Sequence, residues 1–425
     1  MSFDSKETPV EHKSRGSDAT SHGDLRMARA LWPVLLASVV SLLPFTVFST
    51  YLVPVADEAG SSVAAMGGLR GLGGLTALLV GTALAPLIDR VPRESAAAAG
   101  LAVLAVSAAL GASGDYVLLA AFCLLVGAGT SVLNPALTAA AADRFGEGKA
   151  AGRAATLVTA TQSMTAMLAA PLVALPAAFW GWQGDLLAVT VVSGLLACFL
   201  LSRRGKPQQT RPDHRAEGRA GYLASFKQLA AIPGVAPLLA VSLLRTAVFM
   251  GYLAYLAAFY DARFQLTPEL FAFVWTLSGA SFFVSNLLTG RITNSPAPRI
   301  ATERLLAAGL TAALLSVVCF YFTHWLPTAL VLTALHAAAH AVVAACVVSL
   351  LVRRCGTSRG SALSINAAGM SFGVFVGAAL GGAGLGLAGY AGTACVFGAL
   401  TAVALGAGFL VKRSASPDGA EEVDE

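Results

Sequence analysis

Apolar runs of about 20 residues recur along nearly the whole chain, separated by short polar stretches. A helix of that length, rising 1.5 Å per residue, crosses the hydrocarbon core of a bilayer. The runs fall at about 31–53, 66–88, 95–113, 116–141, 152–177, 185–202, 235–259, 268–292, 300–322, 327–351, 361–387 and 390–411. They predict an all-α membrane protein with twelve transmembrane helices.

Composition agrees with that pattern. Of 425 residues, 56% are hydrophobic and 12% are charged, about half the charged fraction of a soluble domain. Residues 1–29 carry five acidic and five basic side chains and no apolar stretch ahead of a cleavage site. They predict a polar, disordered tail rather than a signal peptide, with the first span as an uncleaved anchor. The six cysteines fall in spans or beside the basic "VRRCG" loop, which is no disulfide framework.

The charge is distributed unevenly. With the N-terminus in the cytoplasm, all but Arg70, Arg245 and Arg263 of the 28 Lys and Arg lie in cytoplasmic tails and loops or at their edges. The opposite loops carry Asp57, Glu58, Asp115, Asp185, Asp261 and Glu269. By the positive-inside rule, both termini belong in the cytoplasm of a multi-pass protein of the cytoplasmic (inner) membrane. This asymmetry accounts for the net charge of +5 without nucleic acid.

Residues 203–231, with seven basic and two acidic side chains, divide six spans from six. The organisation read here is a tail at 1–30, a six-helix bundle at 31–202, a cytoplasmic linker at 203–231, a second bundle at 232–411 and a tail at 412–425. A solvated linker touching anionic headgroups explains the middle segment. The halves echo each other: "GWQGDLL" from Gly181 and "GYAGTAC" from Gly389 each precede the last span of their half. Parallel repeats of this kind build many secondary transporters, with the substrate between the halves.

The loop "GTALAPLIDRVPRE" (81–94) joins spans 2 and 3. It resembles the signature G-x-L-A-D-R-x-G-R-R of the major facilitator superfamily. Asp89, Arg90 and Arg93 match in place, while Ala85, Pro92 and Glu94 depart from it. The resemblance implies a gating latch, in which Arg93 meets an acidic residue ending span 4, here Asp143. Asn134–Pro135 in span 4 and the "GW" ahead of span 6 add to the likeness. Where exporters of the family carry G-x-x-x-G-P-x-x-G in span 5, this chain has Ala166, Ala170, Pro171 and Ala174. Where their proton-coupled members have an Arg in span 4, it has Cys123 ahead of Gly127. Span 11 carries Gly369, Gly373, Gly377 and Gly381, a small-residue stripe suited to close helix packing.

No Asp or Glu lies inside a span. What the spans do hold is Arg245, near the middle of span 7, with Phe249 and Tyr252 on the same face, and "LHAAAH" in span 10. His336 and His340 are four apart and share a helix face. A bare Arg at that depth costs at least about 2.5–3.5 kcal/mol and should face protein or a watery cavity. Two readings stay open. The three could form a cationic pocket facing the central cavity, with an anionic substrate as counter-charge and a histidine as proton carrier. Alternatively, the histidines are neutral and bond a neighbouring helix, and Arg245 meets helix-end carbonyls. Arg70, close to the acidic end, is expected to snorkel or to meet Asp57 and Glu58.

The resemblance implies a secondary active transporter of a small organic molecule, exporting it against protons as a monomer in the lipid bilayer, without a cofactor. Uptake symport by the same fold is the alternative. A membrane metalloenzyme built on His336 and His340 has too few ligands, and no P-loop for ATP is present.

Overall fold

The computed structural model describes residues 15–88, 91–146, 149–202, 222–293 and 300–413. Asp89 and Arg90 of the signature loop, residues 203–221 of the linker and most of the two tails lie outside them. Every described element is helical, as a chain in hydrocarbon requires, because only a helix or a closed barrel pairs each backbone N–H without water. The first crossing is built from three pieces: α1 (Arg15–Val40), α2 (Leu43–Thr50) and α3 (Leu52–Glu58). Pro44 lies at the start of α2 and lacks an N–H to continue α1, so the helix breaks at Ser41–Leu42. The hydroxyl of Ser41 donates to Ser38 O at 2.8 Å and that of Thr46 to Leu42 O at 2.9 Å.

The remaining helices are α4 (Val63–Ile88), α5 (Arg93–Gly111), α6 (Tyr116–Asp143), α7 (Lys149–Ser202), α8 (Tyr222–Ala230), α9 (Val235–Phe264), α10 (Pro268–Thr293), α11 (Thr302–Phe322), α12 (Leu326–Cys355) and α13 (Arg359–Arg413). Asp115 caps α6 by accepting from the N–H groups of Val117 and Leu118 at 2.9 and 3.0 Å. Among the described residues, ten helices are long and apolar enough to span a membrane. Two of them are double. α7 leaves helical geometry at Gly181 (φ 73°) and α13 at Ala388–Gly389 (Gly389 φ 61°). Unbroken, each would run to about 80 Å, far beyond a bilayer's roughly 30 Å core. Each therefore folds back on itself, with Gly384 and Gly392 in backbone contact across the turn of α13. Positive φ is what glycine supplies there without steric cost. Ten helical stretches among the described residues thus make twelve crossings in two six-helix halves, with turns at the two glycines that the sequence marked.

Two boundaries differ from expectation. Helix α1 begins at Arg15, so the tail expected over 1–30 is helical from there, because hydropathy does not register a polar extension of an apolar helix. The linker expected over 203–231 ends in a described helix, α8, whose Leu229 is buried against the second half.

The described basic residues between spans, Arg93, Arg144, Arg353 and Arg354, lie at the helix ends opposite those that carry Asp57, Glu58, Asp115 and Asp261. Near the acidic end the halves pack tightly. A side chain at Gly67 would run into the ring of Tyr255, and one at Gly74 would start 2.6 Å from Ser371 O. The Tyr255 hydroxyl donates to Ala378 O at 2.8 Å and lies 3.3 Å from Ala64 O. Pro171 accompanies a second seam, where Trp275 Nε1 donates to Ala166 O at 3.0 Å and Gly279 abuts Met167. The span-11 stripe divides. Gly373 and Gly377 seat α13 on the backbone of α9 at Leu243 and Ala247, and Gly381 fits against Phe397 and Tyr255. Gly369 has open space beside it.

Candidate functional site

Where α4 and α13 part, toward the basic end, a cavity of about 560 Å³ opens between the halves, with α6 as its third wall. Its polar lining is Thr82, Thr130, Ser131, Asn134, Ser364 and Ser371. The rest is small or apolar, including Ala77, Gly81 and Pro135. The hydroxyls of Thr82 and Thr130 donate to carbonyls one turn back, Leu78 O and Val126 O, both at 2.7 Å. Ser131 does the same to Ala128 O at 2.8 Å. Asn134 Oδ1 accepts from Gln162 Nε2 of α7 at 3.2 Å. The sequence singled out Asn134 but not the hydroxyls. The signal was there: 364, 367, 368 and 371 form an i, i+3, i+4, i+7 stripe of Ser and Ala on α13.

Arg245, Phe249, Tyr252, His336 and His340 come together, but none of them lines this cavity. They lie inside the second half, each less than a tenth exposed. The face of α12 bearing the histidines turns toward α9 and α11 instead. His340 stacks on Phe249 at 5.1 Å, His336 packs on Tyr252 at 4.5 Å, and the two imidazoles are 4.4 Å apart between centroids. His336 Nδ1 shares a hydrogen bond with Ser316 Oγ of α11 at 3.0 Å. Tyr252 and Tyr260 both bond Thr333 Oγ1 at 2.9 Å. Arg245 donates to Thr246 Oγ1 at 3.0 Å. Arg245 Nε, His336 Nε2 and both ring nitrogens of His340 have no partner among the described residues. Leaving such groups unpaired costs about 1–3 kcal/mol each, which is more than packing alone would select for.

At the basic end, Arg93 Nε of α5 lies 3.9 Å from Asp143 Oδ2 of α6. The second half holds a counterpart that sequence reasoning missed. Arg354, ending α12, reaches Glu303 of α11 at 3.4 Å and also donates to Pro233 O and Val411 O. The third and fourth crossings of each half are thus pinned together, with acid and base exchanged between halves. Arg70 departs from expectation. It is buried, lies 5.7 Å over the ring of Phe45, and leaves Nη1 unpartnered. Glu58 takes Gln183 instead at 2.7 Å.

Residues 34–314 and 264–425 match the family model of the Major Facilitator Superfamily. No curated protein sequence matches. Among solved structures, a bacterial homolog of the human lysosomal transporter Spinster, inward-facing and unoccupied, is 16% identical with a TM-score of 0.73, over 91% of this chain and 97% of that one. The nucleoside transporter NupG is 14% identical at 0.70, over 90% and 98%. The human organic anion transporter MFSD10 is 19% identical at 0.58, over 91% and 99%. At these identities the likeness is one of fold.

Proposed function

The chain belongs to the major facilitator superfamily, and on that premise we propose that it exports a small organic molecule in exchange for protons, by rocking its two halves about the cavity between them. The observation that carries this reading is the asymmetry of the contact between halves, sealed at Tyr255 and Gly74 and parted around a 560 Å³ space below. A space between the halves toward one end, with the other end packed, is one of the two states that alternating access needs. The basic end faces the cytoplasm in this proposal, so the open side is the loading side for an exporter. Cysteines introduced as Ser61→Cys and Gln265→Cys in a cysteine-free background are expected to react with an impermeant thiol reagent applied to intact cells. Gln208→Cys is expected to stay unlabelled, and its labelling would invert the assignment.

With no carboxylate inside any span, His336 and His340 are the groups we assign to proton coupling, held beside Arg245 within the second half. Their unpartnered nitrogens and mutual contact support the assignment, since two adjacent cations repel and favour single protonation. Ser316 is the neutral partner facing them from α11, and Phe249 and Tyr252 face them from α9. Flux through purified protein in proteoliposomes, measured across a series of internal pH values, tests the proposal. His336→Gln and His340→Gln are expected to flatten the pH dependence while leaving downhill exchange in place. An unchanged profile in both variants assigns the histidines to packing.

A further inference from the structure

The chemistry of the cavity wall narrows the substrate, and the argument rests on the transport reading above. The described lining holds no Lys, Arg, His, Asp or Glu. A hydroxyl has one proton to donate and two lone pairs to offer. Thr82, Thr130 and Ser131 have already given their protons to their own helices, at 2.7 to 2.8 Å. What they present to the cavity is lone pairs. Asn134 is the converse: its oxygen is engaged by Gln162, so its Nδ2 hydrogens remain for a ligand. Between these polar points lie Ala77, Leu78, Pro135, Ala367 and Ala368, which can cover apolar surface. The volume, about 560 Å³, falls within the roughly 300–1,000 Å³ of small-molecule sites.

A wall of hydroxyls, with Asn134 as its amide and no ion among the described lining, discriminates by charge. Ser364 and Ser371 keep hydroxyl protons to donate beside the acceptors of Thr82, Thr130 and Ser131. A carboxylate would find a few neutral donors but lose its hydration without a counter-ion, and an ammonium would find acceptors but no carboxylate. A hydroxyl-rich neutral molecule satisfies both sides, its O–H groups donating to the wall and a ring or ether oxygen accepting from Asn134. We propose that the carried molecule is uncharged, with several hydroxyl donors and one apolar face, as in a glycoside or substituted polyol. The buried Arg245, sealed within the second half, takes no part in holding it.

The test uses three aryl glycosides identical except at one ring substituent: hydroxymethyl, carboxylate or aminomethyl. Each is offered to the full-length protein, for thermal stabilisation in detergent and for flux in proteoliposomes. The hydroxymethyl form is expected to stabilise and to be carried, and each charged form to bind at least about tenfold more weakly, a lower bound for one unpaired ionic group. Thr130→Val, which keeps shape and removes the lone pairs, should weaken the neutral form about tenfold. Asn134→Asp, placing a carboxylate in the wall, should turn preference toward the aminomethyl form, a gain that misfolding cannot imitate. Preference for the carboxylate form overturns the substrate class while leaving transport intact, and stabilisation by none of the three overturns it as well. Equal flux of all three through protein cross-linked across the α4–α13 seam by Ala64→Cys and Gly386→Cys would instead overturn the transport reading itself.

Discussion

A disulfide between cysteines placed at Ala64 and Gly386 is expected to reduce transport to background, and reductant to restore it. The geometry invites the bond. A Cβ built at Gly386 lies 3.7 Å from the Cβ of Ala64 across the seam between α4 and α13, within the roughly 3.5–4.5 Å that a disulfide spans. Oxidation of Ala64→Cys/Gly386→Cys should therefore proceed without moving either helix. Rocking about the cavity requires this seam to part in every cycle, and a covalent bridge forbids it. The background needs the six native cysteines replaced; none of them is paired. Each single variant, equally oxidised, serves as control. Full flux through the oxidised pair would mean that the acidic end never opens, and alternating access about this cavity would have to be abandoned.

Replacing Arg245 by methionine is expected to raise thermal stability while transport falls to background. The side chain is 5% exposed, donates one hydrogen bond to Thr246, and leaves Nε unpartnered. Losing that bond costs about 1 kcal/mol. Removing a bare cation from the middle of the bilayer returns at least about 2.5–3.5 kcal/mol. The second term wins, and replacements of buried charges by apolar side chains of similar volume commonly stabilise by about 1–4 kcal/mol. A gain of that size corresponds to a melting temperature higher by a few degrees in a protein this long. A more stable, inactive protein identifies Arg245 as retained for function. A less stable one would show that it is helix glue and remove it from the coupling proposal.

Much of the architecture could be read from the sequence, for a reason peculiar to membranes. Crossing a bilayer depends on the length of an apolar run, so run lengths alone place the helices, and an isolated Gly between two runs marks where one must double back. Gly181 and Gly389 were legible in that way. The site was less so. A hydroxyl in an apolar helix looks the same whether it faces a cavity or a neighbour: Thr76 bonds Leu124 O within the first half, whereas Thr82, less than two turns on, lines the space between halves. What separates them is where α4 and α13 diverge, a property of two helices that neither sequence contains. The histidines show the same limit. Their shared face was evident from their spacing, but its direction, toward Phe249 and Ser316 rather than the cavity, depends on how α12 is rotated among its neighbours. The glycine stripe was placed on the right helix. Its counterpart at Gly67, Gly71 and Gly74 went unread, because spacing reports that a helix can be approached and not what approaches it.

The single-glycine reversals at Gly181 and Gly389 also decide what the protein offers to the world on its acidic side. With two of its six connections reduced to a kink and the others confined to residues 59–62, 112–115, 265–267 and 323–325, almost no chain projects from that face. A protease finds no extended strand to cleave, and an antibody finds helix ends rather than loops. A peptide tag spliced in at Gly181 must break a helix pair, and at Gly114 it displaces Glu58. Gly60 has nothing within 4 Å of its missing side chain, which makes its turn the place where a handle can be attached to the intact protein, provided Gly60 itself is kept for its left-handed φ of 59°.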